Sequence, residues 1–344
     1  MGVWFGCALP DHFGDWESEY WFARKSVALV DKNYRAYFSF SGPDRVRYVN
    51  AILTNNIKDL PMSQGIISLL LNAQGHILAE LEVYALSDQL FCFSYAMIRE
   101  RLAEILDKYI IMDDVILSDE TQHYATLALE GPGAAGVVRD LAAVDLDSLA
   151  ELGRQESHIG AIPCSVIRRS PGKFTGAEFL VGRQHVQELW HILQEKVRME
   201  GGGPMGYTAL SASRLEQGIA WFGYDFSEKQ IPHEAALETT HLSFTKGCYT
   251  GQEIVERVRS RGQVNRRRVG LIFDGRSVPP AGEPLLAAGA EVGYVTRAAF
   301  LPSVSHSIGM GYVRKENNTA GSQLEWAGGR ARVAKLPDDL MTKS

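Results

Sequence analysis

The chain has 344 residues, 45% of them hydrophobic and 22% charged, with a formal net charge of −6. Those values suit a soluble globular protein of two or three domains, and the acidic balance argues against general nucleic-acid binding, though not against a local basic patch. No apolar run approaches membrane-spanning length. The four cysteines, Cys7, Cys92, Cys164 and Cys248, are too scattered for a disulfide framework or a C-x-x-C metal site, so a reducing compartment is expected.

Residues 1–20 are aromatic and acidic and lack a basic n-region, so neither a signal nor a transit peptide is expected and the cytoplasm is the default. Residues 26–39 alternate loosely, as strand, turn and strand. Residues 44–53 carry a helical pattern after the breaker Gly42-Pro43. Residues 65–71 and 76–84 are apolar β-like runs joined by Asn72-Ala73-Gln74-Gly75, which is hairpin chemistry. A strand at 90–95 precedes an amphipathic helix over 97–109, with Ile98, Leu102, Ile105 and Leu106 on one face. Antiparallel strands followed by a helix indicate an α+β layer and not alternating βαβ units.

A strand at 126–130 leads into a helix over 133–143. Strands at 165–168 and 178–181 flank a turn with Pro171-Gly172 and Gly176. A second amphipathic helix spans 186–199, and Gly201-Gly202-Gly203-Pro204 breaks the chain before a short helix at 209–217. Beyond Gly270 the texture changes to short β-like runs at 268–273, 292–299, 308–314, 324–326 and 331–335, which suggests a small barrel or sandwich. The domains are expected at 1–264 and 265–344.

Three patterns carry candidate chemistry. Gly131-Pro132-Gly133-Ala134-Ala135-Gly136 is formally G-x-G-x-x-G after a strand, but its neighbours are hairpins and the next strand ends in Arg168-Arg169, so a packed helix start is the better reading. Residues 257–268 hold six arginines, Arg257, Arg259, Arg261, Arg266, Arg267 and Arg268. These form a solvated face partly paired by Glu253 with Arg257, or grip carboxylates, or contact RNA. The third is Lys246-Gly247-Cys248-Tyr249-Thr250-Gly251-Gln252-Glu253, ahead of a helical run ending at Gly262. Thr250 and Glu253 have capping-box spacing. A cysteine near a lysine at a helix N-terminus is expected to react as thiolate. His233 and His241 lie near it in sequence, and the nine histidines show no metal-ligand spacing.

This eight-residue motif resembles the signature of the YgfZ-type folate-binding proteins, relatives of the glycine-cleavage T-protein, an aminomethyltransferase. Leu53-Thr54-Asn55-Asn56-Ile57, Leu71-Asn72-Ala73-Gln74-Gly75-His76-Ile77, Ser213-Arg214-Leu215-Glu216-Gln217-Gly218 and Gly223-Tyr224-Asp225 are similar to further family segments. So are Gly293-Tyr294-Val295-Thr296 and Gly311-Tyr312-Val313-Arg314, in what resembles the family's C-terminal β-barrel. The resemblance implies a three-lobed α+β fold with antiparallel sheets, helices and that barrel. It implies tetrahydrofolate binding, with Glu178 and Arg214 facing the folate. It also implies a role in assembly or repair of iron–sulfur enzymes as clients, including tRNA-modifying ones.

On this reading Cys248 is the reactive group and Lys246 lowers its pKa. Glu253 caps the helix, Tyr249 and Gln252 make polar contacts, and Arg257 attracts the glutamate tail of folate. The alternatives are a folate-dependent one-carbon transferase and a non-catalytic RNA- or protein-docking module. The aminomethyltransferases use an aspartate early in the helix near residues 97–106; the resemblance puts Arg101 or a neighbour there, no aspartate occurs in that helix before Asp107, and Glu100 is close by.

Overall fold

The computed structural model describes residues 1–170, 172, 174–262 and 264–340. Contacts divide the chain into two units, residues 1–70, 79–210 and 242–250 in one, and residues 71–78, 211–241 and 251–344 in the other. No helix among the described residues is long and apolar enough to cross a membrane.

The first unit is built on a six-stranded and a five-stranded sheet. The six-stranded order is Arg154–Ile159, Ile162–Arg168, Gly176–Gly182, Tyr124–Glu130, Ala28–Asp31 and Gly203–Pro204. Every pair is antiparallel except the last. The five-stranded order is Gly65–Leu71, Ile77–Ala85, Leu90–Tyr95, Arg35–Ser41 and Ile116–Asp119. This is the α+β layering that the hairpin pattern predicts, and the expected parallel crossovers of a dinucleotide fold are not among these pairs. Pro171, assigned from sequence to the turn before Gly176, lies outside the described residues.

Each sheet has two chemically different faces because strand side chains alternate. One face of the six-stranded sheet, with Leu127, Leu129, Phe179 and Val181, buries against the helices Ala134–Ala142 and Val186–Met199 through Val137, Val138, Leu189, Leu193 and Val197. The opposite face contributes Ile167 and Leu180 to a second core with Tyr37, Tyr84, Phe91 and Phe93 of the five-stranded sheet. The strand Ile77–Ala85 shows the same logic: Ala79, Leu81 and Val83 are fully buried, while Glu80 and Glu82 between them are half-buried on the other face.

Sequence patterning misses the ribbon Gly2–Trp4 with Cys7–Leu9 and the helix Trp16–Lys25. That helix hides no aliphatic stripe; its buried residues are Glu19, Tyr20 and Ala23. Asp15 caps it by accepting from the Glu17 and Ser18 backbone N–H groups. Buried Glu19 is satisfied by the N–H groups of Phe13, at 2.5 Å, and Gly206, at 2.8 Å.

The glycine motif at 131–136 has a packing reason. Gly131 has φ +125°, and a Cβ there would lie 2.6 Å from the Ser26 carbonyl and 2.8 Å from that of Ala23. Only glycine fits this close approach to the end of the helix Trp16–Lys25.

The second unit contains a closed barrel in the order Arg266–Phe273, His306–Arg314, Ala290–Leu301, Pro284–Ala287, Gln323–Trp326 and Gly329–Ala334. Leu271, Phe273, Leu285, Val295, Val313, Leu324 and Val333 fill it. A register shift between Val295 and Arg297 breaks the strand alternation. It lets two neighbouring side chains reach one carboxylate: Thr296 donates to Asp225 at 2.8 Å, and Arg297 donates to it at 2.6 and 3.1 Å. Arg297 also bonds Ser211 and the Ile219 carbonyl, so this buried ion pair is saturated and reads as structural.

Candidate functional site

The polar faces of the two sheets in the first unit carry a buried cluster of charge. Glu178 is central to its strand, and its side chain is 2% exposed. Arg35, at the start of the strand Arg35–Ser41, grips it with both terminal nitrogens, Nη1 to Oε2 at 2.5 Å and Nη2 to Oε1 at 3.1 Å. The same Nη2 lies 3.3 Å from Glu82. Arg169, just past the strand Ile162–Arg168, donates to Glu82 at 2.9 Å, and the Tyr84 hydroxyl donates to it at 3.1 Å. Arg35 also stacks 4.9 Å above the Phe93 ring. Close by in the strands, the Tyr95 hydroxyl donates to Glu80 at 2.6 Å, and Lys32 pairs with Glu130 at 3.3 Å with both side chains buried.

Arg35 and Glu178 therefore balance one another out of water, and Glu82 links them to Arg169, which is partly exposed and also lies 3.6 Å from Glu151. Burial raises the Glu82 carboxyl, but Arg169, Arg35 and the Tyr84 hydroxyl outweigh it and hold it below its ordinary value. Burial works against the charge on Arg35, and Glu178 and Glu82 more than restore it. Burial, with Glu82 and Glu178 adding to it, pushes Tyr84 well above the usual phenol range, so its hydroxyl stays a donor. A carboxylate has about four lone-pair sites. Glu178 spends one per oxygen on Arg35.

The other sequence-derived candidates fall elsewhere. Lys246 is engaged by the backbone. Its Nζ donates to the carbonyls of Asn50, Leu53 and Asn55 at 2.5, 2.6 and 2.9 Å and sits 5.3 Å over the Tyr249 ring. These carbonyls close the C-terminal end of the helix Arg45–Ile52, where backbone acceptors are orphaned and a cation is favoured. Lys246, expected from sequence to serve Cys248, is a helix-capping residue in this fold. Burial pushes its ammonium down to about 8. Cys248 is exposed on its loop, and Tyr249 beside it is buried.

The expected capping box is also corrected. The helix runs Gln252–Arg261 with Gly251 at its N-cap and no side-chain cap bond. Gly251 has φ +80°, and a Cβ there would lie 2.6 Å from the Asn72 carbonyl, so backbone packing takes the role assigned to Thr250 and Glu253. Glu253 instead pairs with Arg257 at 2.6 Å, and both are exposed. Gln252 is the half-buried first residue of that helix, and Arg214 is buried in the helix Tyr207–Glu216.

The arginine run is largely absorbed by the fold. Arg259 pairs with Glu256, Arg266 with Glu234 and Arg267 with Glu238; Arg261's side chain lies outside the described residues. Glu100 and Arg101 are exposed on the helix Arg99–Lys108. His233 is buried, and burial pushes it below its ordinary value; no group of acids, histidines and cysteines among the described residues suits a metal. Sequence reasoning missed Arg35, Glu82 and Arg169. The available signal was two glutamates, Glu80 and Glu82, alternating with apolar residues inside a strand.

Comparison with known proteins agrees along most of the chain. The family model described as "GCVT N-terminal domain" matches residues 1–243, and the one described as "Glycine cleavage T-protein C-terminal barrel domain" matches residues 266–337. The chain is similar to proteins named "Aminomethyltransferase". That of Streptomyces avermitilis is 27% identical, covering 92% of this chain and 86% of the relative. That of Thermotoga petrophila is 27% identical, covering 96% and 92%. The solved structure of glycine cleavage system aminomethyltransferase T from Bartonella henselae shares the fold, with a TM-score of 0.89 over 98% of this chain and 93% of that one, at 23% identity.

These relatives overturn the iron–sulfur expectation. They carry the name of the one-carbon alternative, and nothing in the matches is specific to a YgfZ-type role, iron–sulfur clients or tRNA modification. The eight-residue cysteine motif is a single loop, whereas the likeness to aminomethyltransferases runs along most of the chain.

Proposed function

The chain belongs to the glycine-cleavage T-protein family, and from that premise we propose that it binds tetrahydrofolate and transfers a one-carbon unit to it from an aminomethyl donor. The donor X–CH2–NH2 gives its methylene carbon to the folate, X takes up a proton and the amine leaves as ammonia. Tetrahydrofolate supplies the two nitrogens that receive the carbon.

The observation that carries this reading is Glu178, a buried carboxylate with acceptor capacity left after Arg35 has bound it. The amino and ring N–H groups of a pterin match such an acceptor. Arg35 fixes the carboxylate plane by its two-pronged grip, so the acceptors are aimed before a ligand arrives. The helix Arg99–Lys108 carries no aspartate before Asp107 where the chemistry is expected to use one, and Glu100 and Arg101 are exposed on it. The carboxylate duty falls instead to Glu82, held ionised by Arg169 and Arg35 and suited to balancing positive charge on a reacting amine.

The test is calorimetric titration with tetrahydrofolate under reducing conditions, paired with an assay for methylene-tetrahydrofolate from an aminomethyl donor. Glu178→Gln keeps the shape and loses the charge, and at least about tenfold weaker binding is expected. Wild-type protein that does not bind tetrahydrofolate overturns the proposal. Binding without transfer overturns the transferase half and leaves a folate-binding protein.

A further inference from the structure

The second unit holds a cavity of about 460 Å³ bounded by Gly218, Arg268, Met310, Asn318, Val333 and Leu336. That volume lies in the range of small-molecule sites. Its charged lining is Arg267, Arg268 and Lys335, and its described lining contains no acid. Arg267 is already paired with Glu238 at 2.5 Å, and Lys335 with Asp338 at 3.5 Å.

Arg268 is different. Its Nε donates to the Ala235 carbonyl at 2.8 Å, and its Nη1 lies 3.2 Å from the Met310 sulfur, a weak acceptor. No acceptor among the described residues meets its Nη2. The acid whose charge it feels, Asp225, is already bound by Arg297 and Thr296. Burial works against the Arg268 charge, yet a guanidinium does not give up its proton in a protein. A half-buried charge without a contacting counter-charge carries part of the cost of desolvation, and Arg268 lines a cavity that could hold that counter-charge.

We propose that this cavity binds a small amphipathic carboxylic acid. Its carboxylate sits on the terminal nitrogens of Arg268, and its apolar body lies against Met310, Val333 and Leu336. The planar guanidinium fork matches a carboxylate, and the apolar wall excludes a fully hydrated anion as the best occupant. The inference rests on the barrel-containing unit alone and does not depend on the transferase reading.

Benzoylglycine and inorganic phosphate are the probes, followed by calorimetry at low salt and by the methyl resonance of isotope-labelled Met310. Benzoylglycine is expected to bind with a Kd below about 1 mM and to shift that resonance. Arg268→Gln is expected to weaken it by at least about tenfold. Ala320→Phe, at the exposed rim, leaves Arg268 intact and is expected to weaken it as much; it decides the matter if the arginine variant fails to fold. Binding unchanged by Ala320→Phe, an unmoved Met310 resonance, or no binding overturns the proposal. Phosphate binding as tight as that of the acid also overturns it, because the cavity is then a simple oxyanion site.

Discussion

Replacing Lys246 by methionine separates two readings of the cysteine loop. Methionine keeps the length of the side chain and removes the ammonium. Three backbone carbonyls, of Asn50, Leu53 and Asn55, then lose their donor. A buried acceptor left unmade costs about 1–3 kcal/mol. Lys246 is only half-buried, so water recovers part of the loss and a net destabilisation of about 2–4 kcal/mol is expected at pH 7. Urea unfolding of wild type and Lys246→Met at matched pH measures it.

The pH dependence has a definite sign. Burial brings the folded Lys246 to about 8, while the unfolded chain keeps the ordinary lysine value of about 10.4. Between those values the unfolded state holds a proton that the folded state has released, so this group's contribution to stability rises with pH. The deficit of Lys246→Met should grow from pH 7.5 to pH 9.5, on this linkage. Alkylation of Cys248 should meanwhile change by less than about twofold, since the ammonium is committed to the helix end. A loss of stability below about 0.5 kcal/mol or a strongly slowed Cys248 would refute the helix-capping assignment, and a deficit that shrinks with pH would refute the burial-lowered ammonium.

Arg35→Met leaves Glu178 out of water without its cation, while Glu82 keeps Arg169 and Tyr84, and should cost about 3–5 kcal/mol by denaturant unfolding. Adding Glu178→Gln should return part of that loss, and strict additivity of the two changes would deny their coupling. Because Arg169 and Arg35 hold Glu82 below its ordinary value, its contribution to stability is present at neutral pH and lost as pH falls through the folded value. Glu82→Gln should therefore flatten the acid limb of the stability profile. Among the four thiols, Cys248 should be alkylated first in the native protein, read by mass spectrometry. Cys92 and Cys164 are buried, and burial pushes Cys164 up to about 11; prior labelling of either would contradict the exposed loop.

Much of the fold was legible in the chain because its signals are local. The hairpin at residues 65–85 follows from Asn72 and Gly75. The Asn72 side chain accepts from Gln74 and His76, and Gly75 takes φ +78°. The Gln252–Arg261 helix ends where Gly262 predicts, with φ +70°. The change of texture after Gly270 marks the barrel. The capping box failed for a local pattern overruled by packing: Gly251 must lie against the Asn72 carbonyl, so the helix begins on glycine.

The candidate site was legible only in part. Glu178 was chosen from a resemblance, while Arg35, Glu82 and Arg169 stand 143, 96 and 9 positions from it in sequence and show no motif. The role of Lys246 at the helix end is equally hidden, since its backbone partners lie 191 to 196 residues away in sequence. The sequence by itself determined the strands, turns and helices, because period, glycine and capping chemistry act over a few residues. Only the tertiary structure decided which charges meet. A guanidinium and a carboxylate far apart in the chain become partners when two sheet faces close over them and remove water as the competing ligand.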